Sequence, residues 1–176
     1  MIRLIKPRKQ NDSASIVEPS FLTKLFASGL CTGYVPAGSG TLASALAGAI
    51  YYIPGFESPF IFGSVLLLSL GLGIVAASVM EKRYGHDPAE VTIDEVVGMW
   101  ISVVLLPKKL FIVLAAFFLF RFFDIVKPSP AKKFDSMHGG LSIMMDDVVA
   151  GIYTNLSLQI ILLVPTIKEF ILRSSP

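Results

Sequence analysis

Two pairs of adjacent acidic residues are the feature of this sequence most suited to chemistry. Asp94-Glu95 and Asp146-Asp147 each stand at the start of an apolar stretch that contains a glycine a few positions later. We expect each pair in the first turn of a helix, where one carboxylate complements the helix dipole and caps free N–H groups. A second carboxylate beside it is unfavourable unless a cation joins the charges, and oxygen ligands of this kind favour Mg²⁺. The pairs predict a Mg²⁺ site formed by these four residues, with helix capping alone as the alternative.

A third group of charges follows a long apolar stretch. Arg121, Asp124 and Lys127 recur at intervals of three residues, and the prolines that follow them predict the end of a helix. An arginine can hold a phosphate through two hydrogen bonds and a lysine supplies a point charge, so Arg121 and Lys127 are candidate phosphate ligands. Asp124 is expected to orient Arg121 or to bind the metal. The alternative is a belt of cations that reach for lipid headgroups, which explains the basic residues but not Asp124 or Asp135.

A histidine precedes each acidic pair by eight residues. These histidines are His86, which is followed by Asp87, and His138. The repetition suggests two similar elements that face each other, and coincidence is the alternative.

A glycine-rich segment, residues 29–44, leads into an apolar helix that we expect over residues 41–53. Its glycines and its proline interrupt regular structure. Free N–H groups at the start of the following helix can bind an anion such as phosphate. The alternative is a helix-breaking turn between two buried helices, and the segment alone does not decide between the two.

The elements that must position these groups are predicted to be membrane helices. Hydrophobic residues make up 53% of the chain and charged residues 16%, well below the roughly 25% charge of a soluble domain, and the mean hydropathy is +0.70. This apolar excess predicts an integral membrane protein, with a very apolar soluble helical protein as the alternative. The formal net charge is only +2, and no basic stripe is interleaved with aromatic residues, so nucleic acid is not an expected partner.

We expect a compact all-α fold whose apolar helices, about four to five in number, cover residues 41–53, 60–80, 96–106, 110–120 and 148–164. Residues 60–80 carry no charge and are long enough, at about 1.5 Å a residue, to span a bilayer. If the basic N-terminus is cytoplasmic, all three polar motif segments fall on the cytoplasmic side, in agreement with the positive-inside rule. Residues 1–20 are predicted to form a polar lead, and residues 21–170 a single helical membrane domain.

Several phosphatase chemistries are not expected because their motifs are missing. The single cysteine, Cys31, has Ala37 six residues later instead of the arginine that a cysteine nucleophile needs. A lone cysteine also leaves no intrachain disulfide and no multi-cysteine metal site. The motifs of aspartyl-phosphate, histidine-nucleophile and CDP-alcohol enzymes do not occur either. The chemistry that remains is attack of a metal-activated water on phosphorus.

Taken together, these motifs resemble the phosphatidylglycerophosphatase A family. The resemblance runs from about residue 28 to residue 155 and is highly specific in its second half. The matching segments are Gly40 to Ser44, His86-Asp87, Asp94 to Trp100, Arg121 to Pro130, His138 to Met144 and Asp146 to Gly151. The first segment departs from the family pattern, with Ser39 where a proline is usual and Ala43 where a second glycine is usual.

The resemblance implies a Mg²⁺-dependent phosphoric monoester hydrolase that removes the terminal phosphate of phosphatidylglycerophosphate and yields phosphatidylglycerol. It also implies a multi-pass protein of the bacterial inner membrane, with membrane lipid as its surroundings and the active site facing the cytoplasm. Two alternatives stay open. One is a non-catalytic protein that binds or transports lipid, and the other is a phosphatase for another small phosphomonoester.

Within this resemblance we expect Mg²⁺ to polarise the substrate phosphate and an attacking water. The predicted roles are metal binding by Asp94, Glu95, Asp146 and Asp147, phosphate neutralisation by Arg121 and Lys127 with Asp124, acid–base catalysis by His86 with Asp87, and hydrogen bonds to phosphate from Thr41 and Ser44. An imidazole titrates near neutral pH, which suits proton transfer. His138 is a second candidate for that transfer, with a simple turn residue as the alternative.

Overall fold

The computed structural model describes residues 18–135, 137–166 and 169, and every regular element among them is helical. In chain order the elements are α1 (Phe21–Ala27), a 3₁₀ turn (Thr32–Tyr34), α2 (Ser39–Ile50), α3 (Pro59–Tyr84), α4 (Ile93–Val103), α5 (Leu110–Val126), α6 (Ala131–Asp135) and α7 (Gly140–Leu162). The all-α prediction is therefore confirmed for this part of the chain. Most of the predicted polar lead, residues 1–17, lies outside the described residues.

Local sequence signals account for several helix ends. The Ser20 hydroxyl accepts a hydrogen bond from the Thr23 N–H at 3.1 Å and caps α1, while α3 begins with a proline in its first turn. Lys127 ends α5 in the left-handed conformation, with φ of 45°, directly before Pro128. The predicted end of this helix is thus confirmed, and it leaves Arg121 and Asp124 in its last turns.

The start of α7 differs from the prediction. The helix begins at Gly140 rather than at the acidic pair, so Asp146 and Asp147 lie in its second turn and do not open it. The cause is close packing against α3, since a Cβ on Gly140 would collide with the Ile74 carbonyl oxygen, and the Gly140 N–H donates to Ser78 Oγ at 3.0 Å. The expectation that both acidic pairs open their helices was correct for α4 only.

Helix α4 lies at the centre of the fold and packs against α2, α3, α5 and α7. Its crossing with α7 brings two backbones together at Gly98 and Gly151. A Cβ on Gly151 would lie 2.5 Å from the Gly98 carbonyl oxygen, and a Cβ on Gly98 would lie 2.9 Å from the Asp147 carbonyl oxygen. Small residues permit such close approach between helices. Because each glycine lies one helical turn beyond an acidic pair, the crossing holds the two pairs next to each other.

One helix of the described residues, α3, is long and apolar enough to cross a membrane. It has 26 residues, and its most apolar window has a mean hydropathy of 2.4 with 28% of it buried. Five of its large apolar side chains are more than half exposed, namely Phe60, Leu67, Leu68, Leu72 and Val75. Such an apolar surface suits lipid better than water. The prediction of several spans stays a prediction, since α2 and α4, with 12 and 11 residues, are too short to cross a bilayer unaided.

Candidate active site

Three carboxylates from three helices converge beside the α4–α7 crossing. Glu95 of α4, Asp124 of α5 and Asp147 of α7 each offer an oxygen, and these oxygens all lie within 4.8 Å of one another. Asp147 is buried, with 3% of its surface exposed. We call these three residues the acidic triad. Oxygen ligands gathered at this spacing suit one hard divalent cation.

Arg121 joins two members of the acidic triad. Its Nη1 pairs with Glu95 Oε2 and lies 3.0 Å from Asp124 Oδ2, one turn further along α5. Its Nε is buried without a hydrogen-bond partner. The guanidinium is therefore held in place by two carboxylates and retains an N–H group for a further acceptor. This arrangement places Asp124 where it can both orient Arg121 and contribute a metal ligand.

Asp94, the neighbour of Glu95 on α4, contributes a further oxygen near the triad. Its Oδ1 is buried and has no hydrogen-bond partner, which is costly for a carboxylate unless a cation or a proton compensates it. Asp94 itself does not belong to the acidic triad. A cation bound near the triad would compensate the charge of this unpaired oxygen.

Asp146 has a different partner from the other predicted metal ligands. Its Oδ2 lies 2.8 Å from Lys127 Nζ, and its Oδ1 accepts the Asp147 N–H at 3.0 Å. The left-handed backbone of Lys127 turns the chain after α5 towards α7. Asp146 therefore balances the Lys127 cation, while Asp147 one residue later belongs to the acidic triad.

The electrostatic balance of the site favours a divalent cation. Five carboxylates belong to it, those of the triad with Asp94 and Asp146, against the two cationic side chains of Arg121 and Lys127. Like charges held this close repel one another, and the repulsion is stronger where water is excluded. The residues present thus fit a Mg²⁺ ion, which prefers a few carboxylates together with water and phosphate.

The glycine-rich segment places the first turn of α2 against this site. A Cβ on Gly40 would collide with the Glu95 carboxylate and would lie 3.1 Å from Arg121 Nη1, so a larger residue there would displace these two side chains. Ser44, one turn later and fully buried, shares its single hydroxyl proton between the Gly40 carbonyl oxygen at 2.8 Å and Glu95 Oε2 at 3.1 Å. Thr41 is exposed at the same end of the helix. The free N–H groups of α2 therefore begin beside the acidic triad, where an anion bound to a metal would lie.

The two histidines meet, but they meet at a separate cluster. His86 Nδ1 lies 3.1 Å and His138 Nδ1 3.3 Å from the same oxygen of Glu81, and the two rings are 4.4 Å apart. The other oxygen of Glu81 accepts the Gly139 N–H at 2.7 Å, which ties the end of α3 to the start of α7. The repetition in the sequence thus corresponds to contact in space.

His86 and Asp87 also line a small cavity together with Asp146, which connects this cluster to the edge of the main site. The catalytic roles predicted for His86 and Asp87 stay predictions. Glu81 did not emerge from the sequence, because a single acid after an apolar run carries no motif. The sequence did single out Asp124, but it did not decide whether this residue orients Arg121 or binds a metal.

Comparison with known proteins identifies relatives over most of the chain. The family model of phosphatidylglycerophosphatase A matches residues 25–162. A Bacteroides thetaiotaomicron protein that is provisionally named a phosphatidylinositol-3-phosphatase is 40% identical over 144 residues, which cover 77% of this chain and 91% of the relative. Proteins named phosphatidylglycerophosphatase A are 34% identical in Escherichia coli (84% of this chain, 88% of the relative) and 35% identical in Haemophilus influenzae (79% and 86%). No solved structure matches the chain.

Proposed function

The chain belongs to the phosphatidylglycerophosphatase A family, and we propose from this premise that it removes the terminal phosphate of phosphatidylglycerophosphate to yield phosphatidylglycerol. Two of its relatives carry the name of that enzyme, so the chain is a phosphatase, and the alternative of a non-catalytic lipid-binding protein falls away. The observation that supports the proposed reaction best is the acidic triad beside the first turn of α2. It combines oxygen ligands for a metal with N–H groups for a phosphate.

A Mg²⁺ ion would be held by Glu95, Asp124 and Asp147, with the unpaired oxygen of Asp94 close by, and would supply positive charge and an acidified water when bound. This proposal differs from the ligand set predicted from the sequence, because Asp124 replaces Asp146. Asp146 instead binds Lys127, and it would position that ammonium group near the substrate.

The phosphate itself needs further positive partners, since carboxylates surround its binding place. Arg121 has a buried Nε–H without a partner, and the first turn of α2, with the N–H groups of Gly40 and Thr41, begins where Gly40 approaches Glu95 and Arg121. These donors would neutralise the phosphomonoester as charge develops on its oxygens. Ser44 would act indirectly, because its hydroxyl holds the Glu95 carboxylate.

Hydrolysis requires one proton to leave the attacking water and one to reach the departing alcohol oxygen of the lipid. The water oxygen forms the new bond to phosphorus as the bond to the lipid oxygen breaks. His86 and Asp87 line the cavity that Asp146 shares, and we assign the proton delivered to the lipid alcohol to this pair. His86 is partly exposed, which allows it to exchange protons with bulk water.

The proposed location is the bacterial inner membrane, with the active site at the cytoplasmic face. The apolar, exposed surface of α3 supports insertion of at least this helix. The acidic triad and the α3–α7 contact at Glu81 both lie near the C-terminal ends of α3 and α5 and the N-terminal ends of α4 and α7, and Lys82 and Arg83 occupy the last turn of α3 there. Basic residues at that end agree with a cytoplasmic orientation. Additional spans by α5 and α7 are part of the proposal.

A second substrate has its own support. The Bacteroides relative is 40% identical to this chain, and its provisional name specifies the 3-phosphate of phosphatidylinositol. Both lipids carry a phosphomonoester on the side of the headgroup away from the glycerol backbone, so the same metal and donors could serve either one. The two functions must therefore be separated by direct comparison.

The test is release of inorganic phosphate from each of the two lipids in detergent micelles, with Mg²⁺ or with EDTA. We expect Mg²⁺-dependent release that is faster from phosphatidylglycerophosphate. Asp147→Asn should lower the rate by at least about 100-fold, since it removes a charge from the acidic triad. Glu57→Gln is a matched control, because Glu57 pairs with Lys108 in an ion pair that involves no triad residue and should leave the rate within about twofold of wild type. Folded protein that releases phosphate from neither lipid would refute the proposed function.

A further inference from the structure

An apolar groove runs between α2, α4 and α5 from the edge of the active site. Its volume is about 360 Å³, within the usual size of sites for small ligands, which begins at roughly 300 Å³. Its walls include Ser44, Gly48 and Ala49 of α2, Met99 of α4, and Val113 and Phe117 of α5. Ser44 and Tyr52 are the residues of this wall that carry a hydroxyl, and Ser44 lies at the end nearest the acidic triad.

Ser44 connects the groove directly to the acidic site. Its hydroxyl donates to Glu95 Oε2, while its own residue forms part of the groove wall. A lipid with its phosphate beside the acidic triad, held by Arg121 and the first turn of α2, and with its apolar chain in the groove would therefore find both environments in one continuous place. A groove that began elsewhere on the surface would not share a wall residue with the acidic triad.

The length of the groove suits one leaflet of a bilayer. It follows α5 from Leu110 to Phe117, which are seven residues apart and so roughly 10 Å apart along the helix axis at about 1.5 Å a residue. Half of a hydrocarbon core of about 30 Å is about 15 Å, the depth that a lipid chain occupies. The groove thus has the length of a large part of one acyl chain.

Small residues on α2 keep the groove open. Ala45, Gly48 and Ala49 all line it, and a Cβ on Gly48 would already make ordinary contact with Val113 Cγ1 at 3.4 Å. Larger side chains at these positions would fill the space between α2 and α5. Helices that pack only for stability would bring this surface into contact with its neighbours, because empty apolar space sacrifices dispersion contacts.

Two other apolar cavities among the described residues lack this link to the triad. A cavity of about 460 Å³ lies at the opposite end of the fold, lined by residues of the α4–α5 connection and of the last turns of α7, such as Leu105, Pro107 and Leu163. A smaller one of about 160 Å³ lies between α1, α2, α3 and α4, near Phe26 and Trp100. Neither cavity is lined by a member of the triad or by a described residue whose side chain forms a hydrogen bond to a triad carboxylate.

We propose that this groove binds one acyl chain of the lipid substrate and thereby positions the headgroup phosphate at the acidic triad. The proposal rests on the proposed function, since it assumes a phospholipid phosphomonoester as substrate. It assigns recognition of the chain to α2, α4 and α5, and it makes the side-chain size at Ala49 a determinant of the chain length accepted. A substrate that lacks the chain would keep its charged contacts but lose its alignment.

The direct test uses phosphatidylglycerophosphate with a diazirine near the middle of one acyl chain. The purified full-length protein is illuminated with this probe in micelles, the cross-linked peptides are mapped by mass spectrometry, and phosphate release from the same probe is measured in parallel. We expect cross-links on α2 and α5 that an excess of unlabelled substrate suppresses. Cross-links on the exposed face of α3, at Leu68 or Leu72, should not be suppressed, because that face contacts bulk lipid or detergent.

A pair of variants tests the same idea by kinetics. Ala49→Leu places a branched side chain in the groove, whereas Gly71→Leu places the same side chain on α3 where a Cβ meets nothing within 4 Å. The readout is the ratio of kcat/KM for a dipalmitoyl substrate to that for a dihexanoyl substrate. We expect Ala49→Leu to lower this ratio about tenfold, because a chain that is displaced moves the phosphate from its productive position. Gly71→Leu should leave the ratio within about twofold of wild type, since its side chain meets only open space.

The outcomes separate the two proposals. Absence of phosphate release from the probe refutes the proposed function and the groove assignment with it. Release together with cross-links that are scattered over all lipid-facing helices, or that unlabelled substrate does not suppress, overturns the groove assignment alone. An equal loss of both rates in Ala49→Leu would also count against it, since general damage does not depend on chain length.

Discussion

Replacing Gly151 by alanine tests whether the α4–α7 crossing holds the active site together. The new Cβ would lie 2.5 Å from the Gly98 carbonyl oxygen and 3.0 Å from Ile101 Cβ. Neither atom is the end of a flexible side chain, so the helices themselves must move. Ordinary contact begins at 3.4 Å, and relief of the shorter distance therefore requires a separation of nearly 1 Å.

The expected change in stability is small because two effects oppose each other. Overpacking in a core costs about 1–3 kcal/mol, while replacing a helical glycine by alanine returns about 1 kcal/mol, so the free energy of unfolding should fall by about 0–2 kcal/mol. Catalysis should suffer more, since a displacement of about 1 Å in a positioned group can cost on the order of 100-fold. We expect phosphate release to fall at least about tenfold and the Mg²⁺ concentration for half-maximal rate to rise, because Asp147 moves away from Glu95.

The assay combines thermal unfolding in detergent with phosphate release over a Mg²⁺ titration, both below the melting temperature of the variant. Gly71→Ala is the control, because a Cβ there meets nothing within 4 Å and α3 carries no triad residue. The control should keep the wild-type rate and the wild-type Mg²⁺ midpoint. A Gly151→Ala protein that also kept both would refute the idea that backbone contact at this crossing sets the geometry of the triad.

Three further predictions concern single side chains. Asp124→Asn should weaken Mg²⁺ activation at least about tenfold if Asp124 is a ligand; an unchanged Mg²⁺ titration would return it to the role of orienting the neighbouring arginine alone. Asn155 is buried and donates from Nδ2 to the carbonyl oxygens of Ser102 at 3.2 Å and Val104 at 2.8 Å. Asn155→Leu should therefore lower the free energy of unfolding by about 1–3 kcal/mol in a denaturant titration. An unchanged midpoint would show that water replaces the amide. A hydrogen bond from Lys108 lowers the pKa of Glu57 to about 2 from its usual value of 4.5. Because this pKa is depressed, the stabilisation is present above pH 4.5 and lost as the pH falls towards 2, so the difference in melting temperature between wild type and Glu57→Gln should shrink over that range. A difference that grew with acidity would contradict this assignment.

Much of the local structure follows from short stretches of sequence. The uncharged stretch of residues 60–80 predicts a long apolar helix, and α3 contains all of it. The prolines after Lys127 end α5 as expected, because a proline restricts the residue before it and removes a hydrogen-bond donor. The five predicted apolar helices correspond to α2, α3, α4, α5 and α7, with ends that shift by a few residues and with α7 extended at its start.

The candidate site was predictable in part. The sequence singled out Arg121, Asp124 and Lys127 as one group, and the structure keeps them within the last turns of α5 and its cap. It also singled out both acidic pairs, which do lie together. The contact between His86 and His138 agrees with the repeated spacing, while Glu81 between them had no signal.

The inventory of helices and the residue types able to bind a metal and a phosphate follow from short stretches of sequence, because hydrophobic periodicity, prolines and charged pairs act over a few residues. Tertiary packing selects which carboxylates form the triad. That choice depends on the angle and closeness at which α4 and α7 cross, and the crossing depends on contact between Gly98 and Gly151, which are 53 residues apart in the chain. The same crossing turns Asp147 towards Glu95 and Asp124 and leaves Asp146 to Lys127.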